Sequence, residues 1–553
     1  MKKYLLVLLL IIILSLAILT RLYKLGYAPA GLYLDEAGQG YSAYSILLTG
    51  KDEFGKSFPF VFRSFTDFKT PVYIYLIVPL IPIFGLTSFT VRFPSFFFSI
   101  LTFPVLYLLI RKIAPDKYTY RLSLIACLTL AISPWHILFG RTNFECNVAL
   151  FFFLGGVYLF YRGLTKPWYL ILSAVLFAIA LPAYHAQRII TPIMVLLLFI
   201  KHRKILLSAS HKKSLISAAI IGFVITIPTL SVATTPGFLA RAAGLNIFSL
   251  RGQTAYGTIQ NYNGTFTNLV NNKILSTSKE FASLYLAYFS PRYMFQLGDY
   301  GPRSSFPELS TFYIWQAPFY LYGLYKFIKD KKLGELKFFT LSMLIISPIP
   351  AAVTRDPYST IRSLQMVIPL IIIITFGLIS FWNLIKTKFV KSLLIFAFIG
   401  IVLYSLAKLY SSVIILNEYY RAREWDYGWQ SVAETIKTLD ASMDVIVDSA
   451  RHGPYIELLF FLKYDPRLYV EGNFEVSTSE YYTNMNRRDN WKLGNIIIRP
   501  IDWGPDTRMK QYLIGDRLAI SDAEVQKHNL KIIRDIYYPD GVLAFRIVET
   551  NPK

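Results

Sequence analysis

Two adjacent carboxylates, Asp35 and Glu36, follow the first long apolar run of the chain in the stretch "GLYLDEAGQGY". Tyrosine, leucine and glycine surround them, and such neighbours allow close backbone approach and packing against a ligand. A carboxylate held there is a candidate general base for a hydroxyl or amine nucleophile. The alternative is a pair of solvated surface carboxylates.

Lys69 is the candidate cation, in "DFKTPVYIYL". It precedes a short apolar segment, 71–86, and there its ammonium group can meet a lipid phosphate. A lysine that snorkels from the end of an apolar helix is the alternative.

Two further motifs place ionisable side chains near the ends of apolar runs. "SPWHILFGRTNFECN" contains Arg141 and Glu145, which we expect at helical spacing on one face, and "LPAYHAQRIITP" contains Tyr184, His185 and Arg188. Ionisable groups at membrane depth usually face a cavity or a partner. An ordinary ion pair between Arg141 and Glu145 is the alternative. A single His and a single Glu from different loops do not make a metal site.

Arginines recur in two later loops, 290–313 and 354–363. They are Arg292, Arg303, Arg355 and Arg362. Guanidinium groups suit phosphate oxygens, so their convergence predicts an anionic substrate. Some would serve as lipid-headgroup contacts.

The composition predicts a polytopic membrane protein. Hydrophobic residues make up 54% of the 553 and charged residues 16%, against about 25% charged in soluble domains. The net charge of +23 does not indicate nucleic-acid binding, because no basic run outside the apolar segments is interleaved with stacking aromatics. Neither a disulfide framework nor a CxxC metal site fits the two cysteines.

Apolar segments of near-spanning length predict about eleven transmembrane helices. We expect them at 4–20, 92–110, 121–138, 146–161, 168–183, 189–200, 214–231, 311–328, 337–350, 363–384 and 391–409. Basic clusters fall in every second loop, which predicts a cytoplasmic N-terminus and places Asp35, Glu36 and everything after 410 outside the cytoplasm. The first segment could instead be a cleaved signal peptide, which would leave these sides unchanged. The segment 71–86 is short and carries three prolines, so we expect a helix that lies in the interface or dips partway into the membrane rather than a full span.

Two domains are expected: a membrane domain, 1–410, with an outer catalytic loop at about 21–91, and an extracytoplasmic α/β domain, 411–553. Within the latter, 444–450 and 495–500 are typical of buried strands and 454–464 of a helix. The stretch 531–549 is typical of a hairpin that turns at Asp540 and Gly541.

The sequence resembles the membrane glycosyltransferases of the C-type fold, GT-C. The resemblance rests on an ordered set of features: "LDE", "KTP", "SPWHILFGRTNFE", "YHAQR" and the terminal outer domain. Within this class of enzymes, residues 1–410 resemble the protein O-mannosyltransferase and lipid A aminoarabinose transferase group and its prokaryotic relatives. The resemblance implies an enzyme of the cell membrane that moves a sugar from a polyprenyl-phosphate donor to an extracytoplasmic acceptor.

The same resemblance implies roles for individual residues. Asp35 matches the catalytic base, Glu36 its supporting neighbour and Lys69 the phosphate-binding lysine. The loop has Lys-Thr-Pro where the group more often has Lys-Pro-Pro. Three arginines are expected as further phosphate contacts and three other residues as substrate or structural groups: Arg141, Arg188 and Arg362, and Glu145, Tyr184 and His185.

Two other functions stay open. "EWDYGW", 424–429, is similar to the "WWDYG" signature of oligosaccharyltransferases, which transfer a whole glycan, although Glu424 replaces the first Trp. An amphipathic segment with Trp425, Tyr427 and Trp429 in the interfacial aromatic belt also explains it. A glycolipid transporter or flippase would place charges near the midplane of repeated halves, and no repeat is visible.

The sequence does not identify the sugar or the acceptor, which could be a protein, a lipid or a glycan. No cofactor is required by the motifs. A divalent cation held by acidic outer loops is compatible with the sequence.

Overall fold

A computed structural model describes residues 3–65, 67–236, 273–354, 357–450, 453–473, 481–482 and 491–552. These residues are mostly helical. The helices are α1 Lys3–Leu22, α2 Leu34–Thr49, α3 Pro71–Ile77, α4 Ile81–Phe84, α5 Ser88–Ile113, α6 Thr119–Ala131, α7 Pro134–Phe139, α8 Cys146–Gly163, α9 Tyr169–Ala183, α10 Gln187–Leu206, α11 Ala209–Ser231, α12 Lys273–Ala287, α13 Ala317–Lys329, α14 Gly334–Ile346, α15 Ile349–Ala352, α16 Val367–Leu384, α17 Lys388–Tyr410, α18 Asn417–Arg421, α19 Trp429–Ile436, α20 Tyr455–Leu462, α21 Pro466–Asn473, α22 Trp503–Asp506 and α23 Asp522–Lys527.

The chain forms two compact units. The first comprises Met1–Tyr23, Ser95–Thr234 and Leu239–Ser412, and the second comprises Lys24–Pro94, Thr235–Phe238 and Val413–Lys553. The residues of the predicted outer loop therefore fold with those of the C-terminal part of the chain.

The helices that can span a membrane are long and apolar. Among the described residues, seven have the necessary length and composition: Tyr4–Leu22, Ser88–Ile113, Cys146–Gly163, Ala209–Ser231, Lys331–Ala352, Leu364–Leu384 and Lys388–Trp425. Three shorter apolar helical segments accompany them: Pro71–Phe84, Thr119–Ala131 and Tyr169–Ala183. A polytopic helical membrane protein is confirmed, and the count of about eleven spans stays a prediction.

The predicted span 121–138 is divided in two. Helix α6 ends at Ala131 and α7 begins at Pro134. Ser133 is extended, as residues before proline usually are, and proline suits the first helical position because it has no N–H to leave unpaired. Helix α7 ends at Phe139 and α8 begins only at Cys146. The prediction that Arg141 and Glu145 share a helical face is therefore wrong.

The segment 71–86 forms a short, interrupted helix, as predicted. Helix α3 passes into a 3₁₀ turn, Val78–Leu80, and then into α4. Pro79 and Pro82 lack the N–H groups that a continuous α-helix would need here. A location in the membrane interface stays a prediction.

Two sheets lie in the second unit. Strands β1 Phe62–Ser64 and β2 Asp67–Lys69 form an antiparallel pair. The larger sheet has the order β4-β5-β3-β6-β8-β7, with β3 Val445–Val447, β4 Trp491–Leu493, β5 Ile496–Ile498, β6 Tyr512–Asp516, β7 Lys531–Tyr537 and β8 Leu543–Glu549.

The central strand of that sheet, β3, runs parallel to both of its neighbours and is completely buried. Its sequence, Val-Ile-Val, is the continuous apolar run that parallel strands covered on both faces require. The predicted strands, the helix at 454–464 and the hairpin at 531–549 are confirmed. In the hairpin, the N–H of Tyr538 donates to the carbonyl of Val542.

Candidate functional site

Asp35 and Lys69 form an ion pair in the second unit. Lys69 Nζ lies 2.8 Å from Asp35 Oδ2, and the side chains are 7% and 23% exposed respectively. Asp35 lies in the first turn of α2, where the free amide groups of a helix favour a nearby negative charge. The two residues that the sequence predicted as base and phosphate-binding cation are therefore in direct contact.

Lys69 is positioned by the elements on either side of it. It is the last residue of β2 and pairs with Phe62 of β1. Thr70 then precedes Pro71 at the start of α3. Because proline fixes its own φ and restricts the residue before it, the chain leaves the strand in a defined direction.

Glu36 pairs with Arg92, a residue that sequence reasoning missed. Both side chains are fully buried, and Arg92 Nη2 lies 2.7 Å from Glu36 Oε2. Arg92 Nε also donates to Glu36 Oε1 at 3.1 Å, so the pair is bidentate. Bidentate guanidinium–carboxylate pairs combine strength with defined geometry.

Arg92 also holds the chain that precedes α2. Its guanidinium group donates to the carbonyl oxygens of Leu25, Pro29 and Gly31 at 3.3, 3.0 and 2.7 Å. Arg92 could have been found from the sequence, because it is a lone arginine at the start of an apolar segment and such a residue usually has a specific partner.

A second acidic cluster contacts strand β1. Tyr481 Oη donates to Asp52 Oδ2 at 2.5 Å and accepts from the N–H of Arg63 in β1 at 2.7 Å. Burial raises the pKa of Asp52 to about 6. Burial, followed by the charge of Asp52, raises the pKa of Glu53 well above its ordinary value. Sequence reasoning did not find this cluster.

The stretch "EWDYGW" also lies in the second unit. The side chains of Trp425 and Trp429 are buried, at 1% and 4% exposure, so the interpretation of these two residues as an interfacial aromatic belt is wrong. The Trp425 ring instead lies 5.8 Å from the guanidinium carbon of Arg92.

The remaining predicted residues belong to the first unit. Arg141 is buried and donates to the carbonyls of Thr20, Arg21 and Tyr23 at 3.1, 3.1 and 2.7 Å. These carbonyls come from the C-terminal end of α1, where helices leave acceptors without an intrahelical partner. Glu145 is buried directly before α8.

The other outer residues are spread over several elements of the first unit. Tyr184 is buried after α9, and its ring centroid lies 6.2 Å from that of His185. Arg188 is half-buried in the first turn of α10. Arg362 Nη1 donates to Thr354 Oγ1 at 3.0 Å. Their roles toward a substrate stay predictions, as does that of Arg141; Arg355 lies outside the described residues.

No group of three or more His, Cys, Asp or Glu side chains that could hold a metal ion occurs within the described ranges. The use of a divalent cation stays a prediction.

Comparison with known proteins gives one family and several structures. The model of the dolichyl-phosphate-mannose-protein mannosyltransferase family matches residues 68–231. No curated protein matches the sequence.

Two solved structures illustrate the structural similarity. The crystal structure of ArnT from Cupriavidus metallidurans bound to undecaprenyl phosphate is similar over 100% of both chains, with a TM-score of 0.52 and 12% identity. The oligosaccharyltransferase of Archaeoglobus fulgidus, tethered to an acceptor peptide, gives a TM-score of 0.47 and 13% identity, over 98% of this chain and 74% of that one.

The chain thus has the GT-C fold of membrane glycosyltransferases, with a C-terminal β-sheet domain. The predicted resemblance to the protein O-mannosyltransferase and ArnT group is confirmed.

Proposed function

We propose that the protein transfers a sugar from a polyprenyl-phosphate donor to an acceptor outside the cytoplasm, with Asp35 as general base. The contact between Asp35 and Lys69 carries this proposal, because it places a proton acceptor beside a cation in a protein with the GT-C fold. The structure of ArnT with undecaprenyl phosphate supports a lipid-phosphate donor by analogy.

The chemistry assigns each group a task. Asp35 accepts the proton of an acceptor hydroxyl or amine as that group attacks the anomeric carbon. The bond from the anomeric carbon to the phosphate oxygen breaks, and the polyprenyl phosphate leaves with the electron pair. Lys69 stabilises the negative charge that develops on the leaving group.

The ion pair is compatible with both tasks. An ammonium group has three N–H donors, so Lys69 can keep one on Asp35 and direct others to a phosphate oxygen. Lys69 then aligns the base with the leaving group, and such alignment lowers the barrier by proximity.

The test is transfer from a panel of polyprenyl-phosphate sugars by the purified full-length protein in detergent. We expect Asp35→Asn to reduce turnover by about 100-fold or more, because general-base catalysis contributes on that order. Asp440→Asn is the control, since the Asp440 side chain is exposed and its carboxylate accepts from the N–H and hydroxyl of the nearby Ser442. Near wild-type turnover of Asp35→Asn would remove Asp35 from the role of base.

Two further readouts separate the alternatives. Mass spectrometry of the product distinguishes one sugar from a whole glycan. Transfer in detergent, where there is no second compartment, distinguishes catalysis from transport.

A further inference from the structure

Helix α2, which carries Asp35, begins after a residue that is not a usual N-cap. Ser, Thr, Asp and Asn cap helices best, because their side chains accept an early amide hydrogen bond, whereas α2 follows Tyr33. The N–H of Leu34, the first residue of α2, donates at 2.9 Å to Oδ2 of Asp426. A carboxylate far away in sequence therefore caps the helix one residue before Asp35.

The backbone around Asp426 contacts the chain that leads into α2. Gly31 has a φ of +87°, and a Cβ atom there would lie 2.2 Å from the carbonyl oxygen of Trp425 and 2.8 Å from the nitrogen of Tyr427. No side chain fits between the two segments, and a positive φ favours glycine in any case. The turn Trp425–Tyr427 is thus in backbone contact with the residues before the helix.

The turn itself adopts a conformation that is uncommon for a residue with a side chain. Asp426 has φ 52° and ψ 41°, in the left-handed region, which Asp tolerates better than most residues. Its neighbour Trp425 packs edge-on to the ring of Tyr33 at 6.4 Å. Such conformations cost free energy and persist where surrounding contacts hold them.

A buried acid lies near Asp426, which is itself half-buried. Glu457 of α20 is 4% exposed, and its Oε2 has no hydrogen-bond partner among the described residues. Burial, and then the charge of Asp426, raises the pKa of Glu457 well above its ordinary value. The free amides at the N-terminus of α2 favour a negative charge on Asp426, which accepts a hydrogen bond from one of them.

We propose that Asp426 is a positioning residue for Asp35: its carboxylate fixes the first turn of α2 and thereby the direction in which Asp35 meets Lys69. The catalytic consequence rests on the proposed function, whereas the cap itself does not. The capping therefore needs a measurement that works whether or not sugar is transferred.

Hydrogen exchange of the amides at 34–37, in the full-length protein in detergent, is that measurement. Loss of a hydrogen bond to a charged group costs about 1.5–3 kcal/mol, so we expect Asp426→Ala to exchange at least about tenfold faster there. Asp426→Asn retains an acceptor oxygen and should stay within about threefold of wild type. Asp440→Ala is the exposed control. Equal exchange in wild type and Asp426→Ala would overturn the capping.

Kinetics test the catalytic consequence. We expect Asp426→Ala to lower kcat about tenfold with little change in KM, and Asp426→Asn to restore most of kcat. A loss confined to KM, or no rescue by Asn, would overturn the positioning role. If exchange responds as expected but the wild type transfers no sugar from any donor, the proposed function fails while the cap stands. Unchanged global melting of Asp426→Ala excludes general misfolding as the cause of its lower kcat.

Discussion

The buried pair Glu36–Arg92 allows a quantitative prediction about the stability of the site. Replacing Glu36 with Leu leaves the Arg92 charge buried, although its carbonyl acceptors at Leu25, Pro29 and Gly31 remain. Breaking a buried pair in this way costs about 3–5 kcal/mol. We expect a similar loss for Arg92→Met, which leaves the Glu36 carboxylate buried.

The double variant should be much less destabilised than the sum of the two. Neither charge of this pair then remains buried, and the main loss is that of the donors to three carbonyl oxygens, at about 1 kcal/mol each. Two single losses of about 3–5 kcal/mol and a double loss of about 3 kcal/mol give a coupling energy of about 3 kcal/mol or more.

The exposed pair Arg423–Asp540 is the matched control. Its N–O distance is also 2.7 Å, but the Arg423 side chain is 49% exposed, so we expect a coupling energy below about 1 kcal/mol. Hydrogen exchange of α2 amides for the buried pair, and of the amides near Tyr538 for the control, reports local opening. A coupling energy for Glu36 and Arg92 as small as that of the control would refute the reasoning.

Two other changes have clear expected outcomes. Burial raises the pKa of Asp52 to about 6, so the folded state binds the Asp52 proton more tightly than the unfolded chain does. Protonated Asp52 therefore favours the folded state at low pH, and this contribution to stability is lost as pH rises from about 4 to 6. Thermal stability of the wild type relative to Asp52→Asn should therefore fall by about 3 kcal/mol across that range; parallel melting curves would contradict it. Gly31→Ala would place a methyl group 2.2 Å from the Trp425 carbonyl, and we expect a lower melting temperature and slower transfer; unchanged melting would show that the two segments can separate.

Parts of the site could be predicted from sequence because its motifs are local. "LDE" and "KTP" are short stretches, and their resemblance to those of a known family predicted that Asp35 and Lys69 belong to one site. The strands of the larger sheet and the hairpin at Asp540 and Gly541 follow from apolar runs and turn residues, and those signals are also local.

Other parts depend on contacts between distant segments. Arg92 begins an apolar run, where it resembles an ordinary arginine at a membrane boundary, and Asp426 lies within a stretch whose tryptophans suggested a membrane interface. Only tertiary structure shows that the first binds Glu36 and the second binds the N–H of Leu34. The break before Pro134 was not predicted, because the segment 121–138 is apolar throughout and long enough to span a membrane. The proline itself is the sequence signal for that break.

The second unit is assembled mainly from two segments that are far apart in the sequence, Lys24–Pro94 and Val413–Lys553. Roughly 300 residues separate these parts, so a ribosome that adds about 5–20 residues per second needs at least a quarter of a minute between them. During that interval the newly made first loop has neither Asp426 to cap its helix nor Tyr481 to bond Asp52. A truncated product that lacks the late segment would carry Asp35 and Lys69 but not these hydrogen-bond partners of the chain around them, a local difference by which quality control during biogenesis can recognise it.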